Sequence, residues 1–202
     1  DLMNRLRREA RIDISYATGQ EANIVIVPVP SRQLQRIAPN AACFVVPRVQ
    51  SWAELRAARN TPTLDWATLE TREQVSIFLP SDVTPQEIRD CLHEEMAQAL
   101  GPLNDLYRLP DSVFNDDNIH TVLTGFDMLI LRAYYASDLQ SGMRQAEVQR
   151  RLRRINPRGE RAGGEIPSNT SREWIAAMEI ALGDRASDPR RRAAAASAIA
   201  IG

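Results

Sequence analysis

The chain has 202 residues, of which 44% are hydrophobic and 25% are charged, and its formal net charge is -1. This length and composition are typical of one globular domain with a sizeable core, or of one domain plus an appendage. A nearly neutral chain has no overall attraction to nucleic acid or to an anionic membrane, and no apolar run reaches the length of a bilayer span. We therefore expect neither a nucleic acid partner nor a membrane span in this segment.

Both ends of the chain look like parts of helices, because it starts with DLMNRLRREA, without Met, and stops within RRRAAAASAIAIG. We expect it to be a portion of a longer gene product. The lack of a visible signal peptide therefore does not argue against export.

Strand-like and helix-like segments alternate over the first 80 residues. Alternation of apolar and polar residues in RIDISYA predicts a half-buried strand over residues 11–17. Continuous apolar runs predict strands covered on both faces at residues 22–29, 43–49 and 74–80. Helical patterns are found at residues 1–9, 31–37 and 51–60.

The strongest predicted helix covers residues 84–101. Thr84 is its cap, Pro85 occupies the first helical position, and Glu87 completes a capping box. An apolar stripe at helical spacing predicts the buried face: Ile88, Cys91, Leu92, Met96, Ala99 and Leu100. Gly101 is the expected stop, in the left-handed conformation that favours glycine.

Further helices are predicted after the turn-rich stretch 102–121. One starts at Thr124, with Asp127 in a second capping box, and its FDMLILRAYY sequence is apolar enough to be buried. The basic amphipathic segment 144–155 predicts a helix with three residues facing inward: Val148, Leu152 and Ile155.

Composition divides the chain into three parts. Residues 1–157 form the predicted domain, and the Gly-rich stretch 158–169 is the clearest linker. Residues 170–202 contain two capped helical patterns, which predict a helical segment and the possible start of a helical-repeat region.

The helix at 84–101 and the residues just after it match half of the specified positions of a zinc-protease signature. In the pattern H-E-x-x-H-x-x-G-x-x-H-D, three positions match, namely Glu95, Gly101 and Asp105, but the histidine positions hold Glu94, Gln98 and Asn104. One carboxylate and two neutral amides are a poor zinc set. Without the metal, Glu95 would be a general base facing an unactivated water. We therefore expect no metal and no cofactor.

The two histidines do not restore this ligand set. His93 aligns with the polar face of the helix, alongside Gln86 and Arg89, and is predicted to be solvated. His120 is predicted to be a turn residue. The aspartates of the 102–121 loop lack the spacing of a calcium site, and the Arg-rich stretch 144–162 is predicted to be a solvated helix face.

The two cysteines, Cys43 and Cys91, lack the spacing of a metal site. They are either two buried thiols or one disulfide in an exported protein.

Three stretches, EEMAQALGPLND, DSVF and LTGFDMLILRAYY, resemble an uncharacterised bacterial family, domain of unknown function 2927, over residues 1–157. That family in turn resembles degenerate metzincin or matrixin (zincin) proteases. Ser112 and Phe114 stand where those proteases carry the Met-turn, with Phe114 in place of Met. The resemblance implies an α+β zincin-like mixed sheet packed on an active-site-type helix, followed by C-terminal helices.

The same resemblance implies a function and a compartment. Because the histidine ligands are absent, it implies a non-catalytic pseudo-protease that binds a protein or peptide by strand addition. The alternatives are an active metallopeptidase that uses Glu95 with atypical ligands, and a purely structural or assembly component. Families of this kind are often exported, which implies a periplasmic or outer-surface location. In a matrixin-like layout Cys43 and Cys91 come close enough for a disulfide.

Overall fold

A computed structural model describes residues 1–18, 22–103, 109, 112–115 and 120–155. Asn104, Asp105, the predicted linker 158–169 and the predicted helical segment 170–202 lie outside these described residues. In the described part of the chain, no helix is long and apolar enough to cross a membrane.

The described residues form a mixed α+β domain. Six helices are present among them, with bounds α1 Leu2–Arg8, α2 Ser31–Ile37, α3 Trp52–Ala58, α4 Pro85–Leu100, α5 Gly125–Tyr134 and α6 Gln145–Ile155. The strands are β1 Ile24–Val29, β2 Phe44–Pro47 and β3 Val75–Pro80. Two short 3-10 turns, Pro62–Leu64 and Trp66–Thr68, connect α3 to β3.

The three strands form one sheet in the order β1-β3-β2. β1 runs parallel to β3, with Ile24 opposite Val75, and β2 runs antiparallel to it, with Phe44 opposite Phe78. Every residue of β3 is buried, as its continuous apolar run predicted. The short β2 strand is therefore one edge of the sheet and β1 is the other.

Helices cover the two faces of the sheet. On one face α4 packs on β3, and its buried residues join a core that includes Leu6 of α1, Ile77 of β3 and Leu131 of α5. On the other face Phe78 packs with Leu34 of α2 and Leu55 of α3. Because side chains alternate along β3, neighbouring residues serve opposite cores.

The strand predicted over residues 11–17 does not form. Arg11 has a positive φ of 57°, and Ile12 donates its N–H to the carbonyl of Leu6 at the end of α1. Arg7 of α1 donates to the carbonyl of Ile14 at 2.6 Å. The segment therefore bonds back to α1, while Tyr16 is 80% exposed.

The apolar sequence patterns also predicted more burial of side chains than the structure has. Ile26 of β1 is 45% exposed, so β1 is not covered on both faces. In α5, Met128 and Leu131 are buried, but Phe126, Tyr134 and Tyr135 are exposed. None of the α6 residues is buried, and Leu152 is 38% exposed. Edge strands and helices near the end of a domain have fewer neighbours to cover them.

Gly101 ends α4 for a different reason from the one predicted. Its φ of 161° is extended backbone rather than the left-handed conformation. A Cβ at this position would lie 2.4 Å from the Tyr134 ring. Glycine at this position lets the aromatic ring pack directly on the backbone, and a larger residue would displace that ring.

Candidate functional site

A cleft of about 380 Å³ lies beside the N-terminal half of α4. Its other walls come from α2, the segment 41–43 that leads into β2, the end of β3 and four later residues, namely Val113, Asn115, His120 and Thr121. Pockets of this size fall within the range of ligand sites. The cleft is therefore the candidate functional site.

The N-terminus of α4 is fixed by its predicted capping box. The Thr84 hydroxyl accepts the N–H of Glu87, and the Glu87 carboxylate accepts the N–H of Thr84. Hydrogen bonds from Thr84 lower the pKa of Glu87 below its usual value. Glu87 therefore stays anionic at the mouth of the cleft.

An arginine that the sequence analysis missed caps the other end of α4. Arg72 donates to the carbonyls of Gln98, Ala99 and Gly101, at 2.8, 3.1 and 3.0 Å, and its guanidinium lies over the Trp66 ring. Burial lowers the pKa of Arg72. A cation at the negative end of the helix dipole stabilises the helix end, and Arg72 shares the Gln98 carbonyl with the N–H of Gly101.

The structure separates the predicted former ligand positions. Glu94 lines the cleft and is half-buried. Glu95 is only 3% exposed and is not among the residues that line the cleft. Gln98 is half-buried and does not line the cleft. Among the described residues, no third position completes the signature, since Asn104 lies outside them.

Cys43 and Cys91 form a disulfide, with 5.9 Å between their Cα atoms. Cys43 lies just before β2 and Cys91 lies on the apolar stripe of α4, so the bond joins an edge strand to the helix. Both cysteines line the cleft although each is less than one-tenth exposed. Of the two alternatives that the sequence left open, the structure contains the disulfide.

A buried carboxylate fixes the turn at Ser112 and Phe114. The fully buried Asp127 of α5 accepts the Ser112 hydroxyl at 2.5 Å, the N–H of Val113 at 3.2 Å and the N–H of Thr124 at 2.7 Å. The Ser112 hydroxyl oxygen in turn accepts the N–H of Phe114. The second capping box therefore also attaches the 112–114 turn to the start of α5.

The prediction that His93 is solvated was wrong. His93 is half-buried, and its Nδ1 accepts the N–H of Leu123 at 3.2 Å. Arg5 of α1 donates to the carbonyl of the same residue. Burial, with the nearby Arg5 charge, lowers the pKa of His93 to about 4. A neutral imidazole therefore holds residue 123 over α4.

The ionisable groups that line the described part of the cleft are mainly acidic. Glu87, Asp90 and Glu94 lie on successive turns of α4, and His120 also lines the cleft. No arginine is among the described lining residues. His120, predicted to be a turn residue, is thus part of the cleft wall.

The outer edge of β2 lies next to the cleft and carries unpaired backbone groups. Arg48, just after β2, donates its N–H to Gln74 beside β3. Backbone direction alternates along an antiparallel strand, so the N–H and C=O of Val45 and the C=O of Pro47 point outward. Within the described ranges no backbone group bonds to this edge. The edge offers a short ladder for one more strand.

Sequence patterns identified α4 and its caps but not the long-range contacts. Arg72 lies in a polar stretch without periodicity, and nothing in its neighbourhood indicates three bonds to a helix end. The partners of His93 and Ser112 are 30 and 15 residues away. The capping box at Thr124 was the one local signal that pointed to Asp127.

A family model described as "Protein of unknown function (DUF2927)" matches residues 1–154. The match covers most of the chain, which therefore belongs to that family. Searches of curated proteins and of solved structures found no match.

Proposed function

We propose that this member of the DUF2927 family is a non-catalytic, zincin-like module that binds an extended peptide or protein segment along the edge of β2, in an exported protein. The observation that carries the proposal is the outer edge of β2, which lies beside a cleft and bonds to no backbone group among the described residues. An extended segment that pairs with Val45 gains main-chain hydrogen bonds, and its side chains alternate into and out of the cleft.

The zincin-like part of the proposal is supported by the order of elements. A mixed sheet with an antiparallel edge strand is followed by the long helix α4, by a buried turn at 112–114 and by the closing helix α5. From β1 onward this agrees with the order that the family resemblance implies, but the strand that it implies at residues 11–17 does not form. The Cys43–Cys91 disulfide supports export, because disulfides persist in oxidising compartments.

The absence of catalysis is proposed from the residues at the signature positions. Glu94 is a carboxylate and Gln98 is a neutral amide, so the helix presents no imidazole at i and i+4. The alternative, an active peptidase that uses Glu95, predicts cleavage of peptides that the cleft binds. The structural alternative predicts no peptide binding at all.

The test is selection from a displayed library of random decapeptides, followed by binding measurements with synthetic hits. We expect Val45→Pro, which removes an outward N–H from β2, to abolish binding. The matched control is Ile26→Pro on β1. The carbonyls of Asn23 and Val29 accept hydrogen bonds from β3 and the residue just after it. Because backbone direction alternates along a strand, the N–H of Ile26 points away from β3, at the opposite edge of the sheet from Val45.

Two further readouts separate the alternatives. Bound peptide should slow hydrogen exchange at the Val45 amide of the unmodified protein. This measurement tests the proposal even if Val45→Pro does not fold. Peptide cleavage that is lost in folded Glu95→Gln would favour the hydrolase. Failure to select any peptide, or equal loss of binding in both proline variants, would contradict strand addition at β2.

A further inference from the structure

Sulfur and carboxylate donors cluster where the start of β2 meets α4. One donor atom each of Cys43, Glu94 and Glu95 lie within 4.8 Å of one another. Cys91 is bonded to Cys43, so a fourth donor lies one bond away. Cys91, Glu94 and Glu95 occupy positions i, i+3 and i+4 of α4 and therefore share one side of the helix.

We propose that reduction of the Cys43–Cys91 disulfide converts this cluster into a Zn²⁺ site with two thiolate and two carboxylate ligands. A dithiol reductant supplies two electrons and two protons, so that the S–S bond breaks, both cysteines become thiols and the dithiol becomes a disulfide. Zn²⁺ then displaces the two thiol protons as it binds the sulfurs and the carboxylates of Glu94 and Glu95.

The donor atoms need only small movements to reach zinc geometry. Tetrahedral zinc with Zn–S near 2.3 Å and Zn–O near 2.0–2.2 Å places neighbouring ligand atoms roughly 3.3–3.8 Å apart. The Cys43, Glu94 and Glu95 donors already lie within 4.8 Å. The sulfurs must separate, and rotation about the two Cα–Cβ bonds achieves this once the disulfide is broken.

The surroundings of the cluster suit a metal ion. Cys43, Cys91 and Glu95 are 8%, 6% and 3% exposed, so an ion bound between them is largely shielded from water. The cleft gives a reductant and an ion access, because Cys43, Cys91 and Glu94 all line it. Two sulfurs and two oxygens are ligands that zinc accepts.

The redox state of the two cysteines decides whether the four residues can bind zinc. A disulfide sulfur is not a thiolate and does not hold zinc, so the oxidised protein keeps only two carboxylates at this point. The site therefore differs from the three signature positions Glu94, Gln98 and Asn104. It also does not depend on peptide binding by β2.

The test uses Co²⁺ as an optical probe, followed by displacement with Zn²⁺. The full chain is reduced with a phosphine that does not bind the metal, desalted without oxygen and titrated. We expect one equivalent of Co²⁺ to give thiolate charge-transfer and tetrahedral ligand-field absorption in reduced protein, and neither band in oxidised protein. Zn²⁺ should remove both bands.

Variants distinguish the four-ligand site from binding by thiols alone. Glu94→Gln and Glu95→Gln should each weaken Co²⁺ binding by more than about tenfold, the loss that even an outer-shell partner causes. Asp90→Asn, one turn before Glu94 and outside the cluster, should bind as the unmodified protein does. The proposal would be overturned if all three variants bound Co²⁺ with equal affinity. It would also be overturned if the reduced protein bound no metal, whether circular dichroism shows that protein to be folded or unfolded.

Discussion

Removing the buried carboxylate of Asp127 should destabilise the domain far more than removing an ordinary helix cap. Asp127→Ala leaves the N–H groups of Val113 and Thr124 without their acceptor and frees the Ser112 hydroxyl. An unsatisfied buried donor costs about 1–3 kcal/mol, so two of them predict a loss of about 4 kcal/mol. The 112–114 turn should also detach from α5.

Two comparison variants make the prediction quantitative. Asp127→Asn keeps the shape and can still accept backbone N–H groups, so we expect a loss of about 2 kcal/mol from the missing charge alone. Thr84→Ala removes the exposed capping hydroxyl of α4, a change that typically costs about 1 kcal/mol.

The assay is urea denaturation followed by far-ultraviolet circular dichroism, with the slope compared among variants. The expected order of destabilisation is Asp127→Ala, then Asp127→Asn, then Thr84→Ala. If Asp127→Ala costs no more than Thr84→Ala, the buried network does not hold the turn and the reasoning fails.

Three other predictions address the helix end, the histidine and the disulfide. Arg72→Met should lower the unfolding free energy by about 2–4 kcal/mol because bonds to three carbonyls are lost, whereas exposed Arg56→Met should change it little in the same denaturation assay. Because the pKa of His93 is lowered from 6.5 to about 4, the unfolded chain takes up the proton first. The contribution of His93 to the free energy of unfolding should be complete above pH 6.5 and lost as the pH falls to 4. His93→Gln should remove this pH dependence, and a midpoint near 6.5 in an NMR titration of His93 would contradict it. Thiol counting in denaturant should find no free thiol without reductant, and two free thiols in protein from its native compartment would contradict the bond and remove part of the case for export. Replacing both cysteines, Cys43→Ala with Cys91→Ala, should lower the free energy of unfolding by about 4 kcal/mol, the chain-entropy value for this loop.

Local patterns predicted most helices and the buried strand well. The capping boxes at Thr84 and Thr124 form as predicted, because a cap depends on residues three positions apart. The run at β3 is buried on both faces as expected. Residues 11–17 have a strand pattern, yet they form hydrogen bonds with Arg7 and Leu6 of α1 instead of joining the sheet. A local sequence pattern does not include such contacts with another element.

The candidate site was less predictable because its geometry depends on distant contacts. The signature identified α4 and placed Glu94 and Glu95 on it, but not the depth at which each is buried. His93 lies on the polar side of a helical projection, and only the position of residue 123 shows that this side is covered. Asn104 and Asp105 remain predictions.

The prolines of the two edge strands bear on how the molecule behaves at high concentration. Each edge strand of an open sheet is a template on which further chains can stack into fibres. Pro47 in β2 and Pro28 in β1 both lack the N–H that such stacking needs, and both lie where the backbone faces outward. The same edge that admits one short segment at Val45 is therefore protected against uncontrolled self-association.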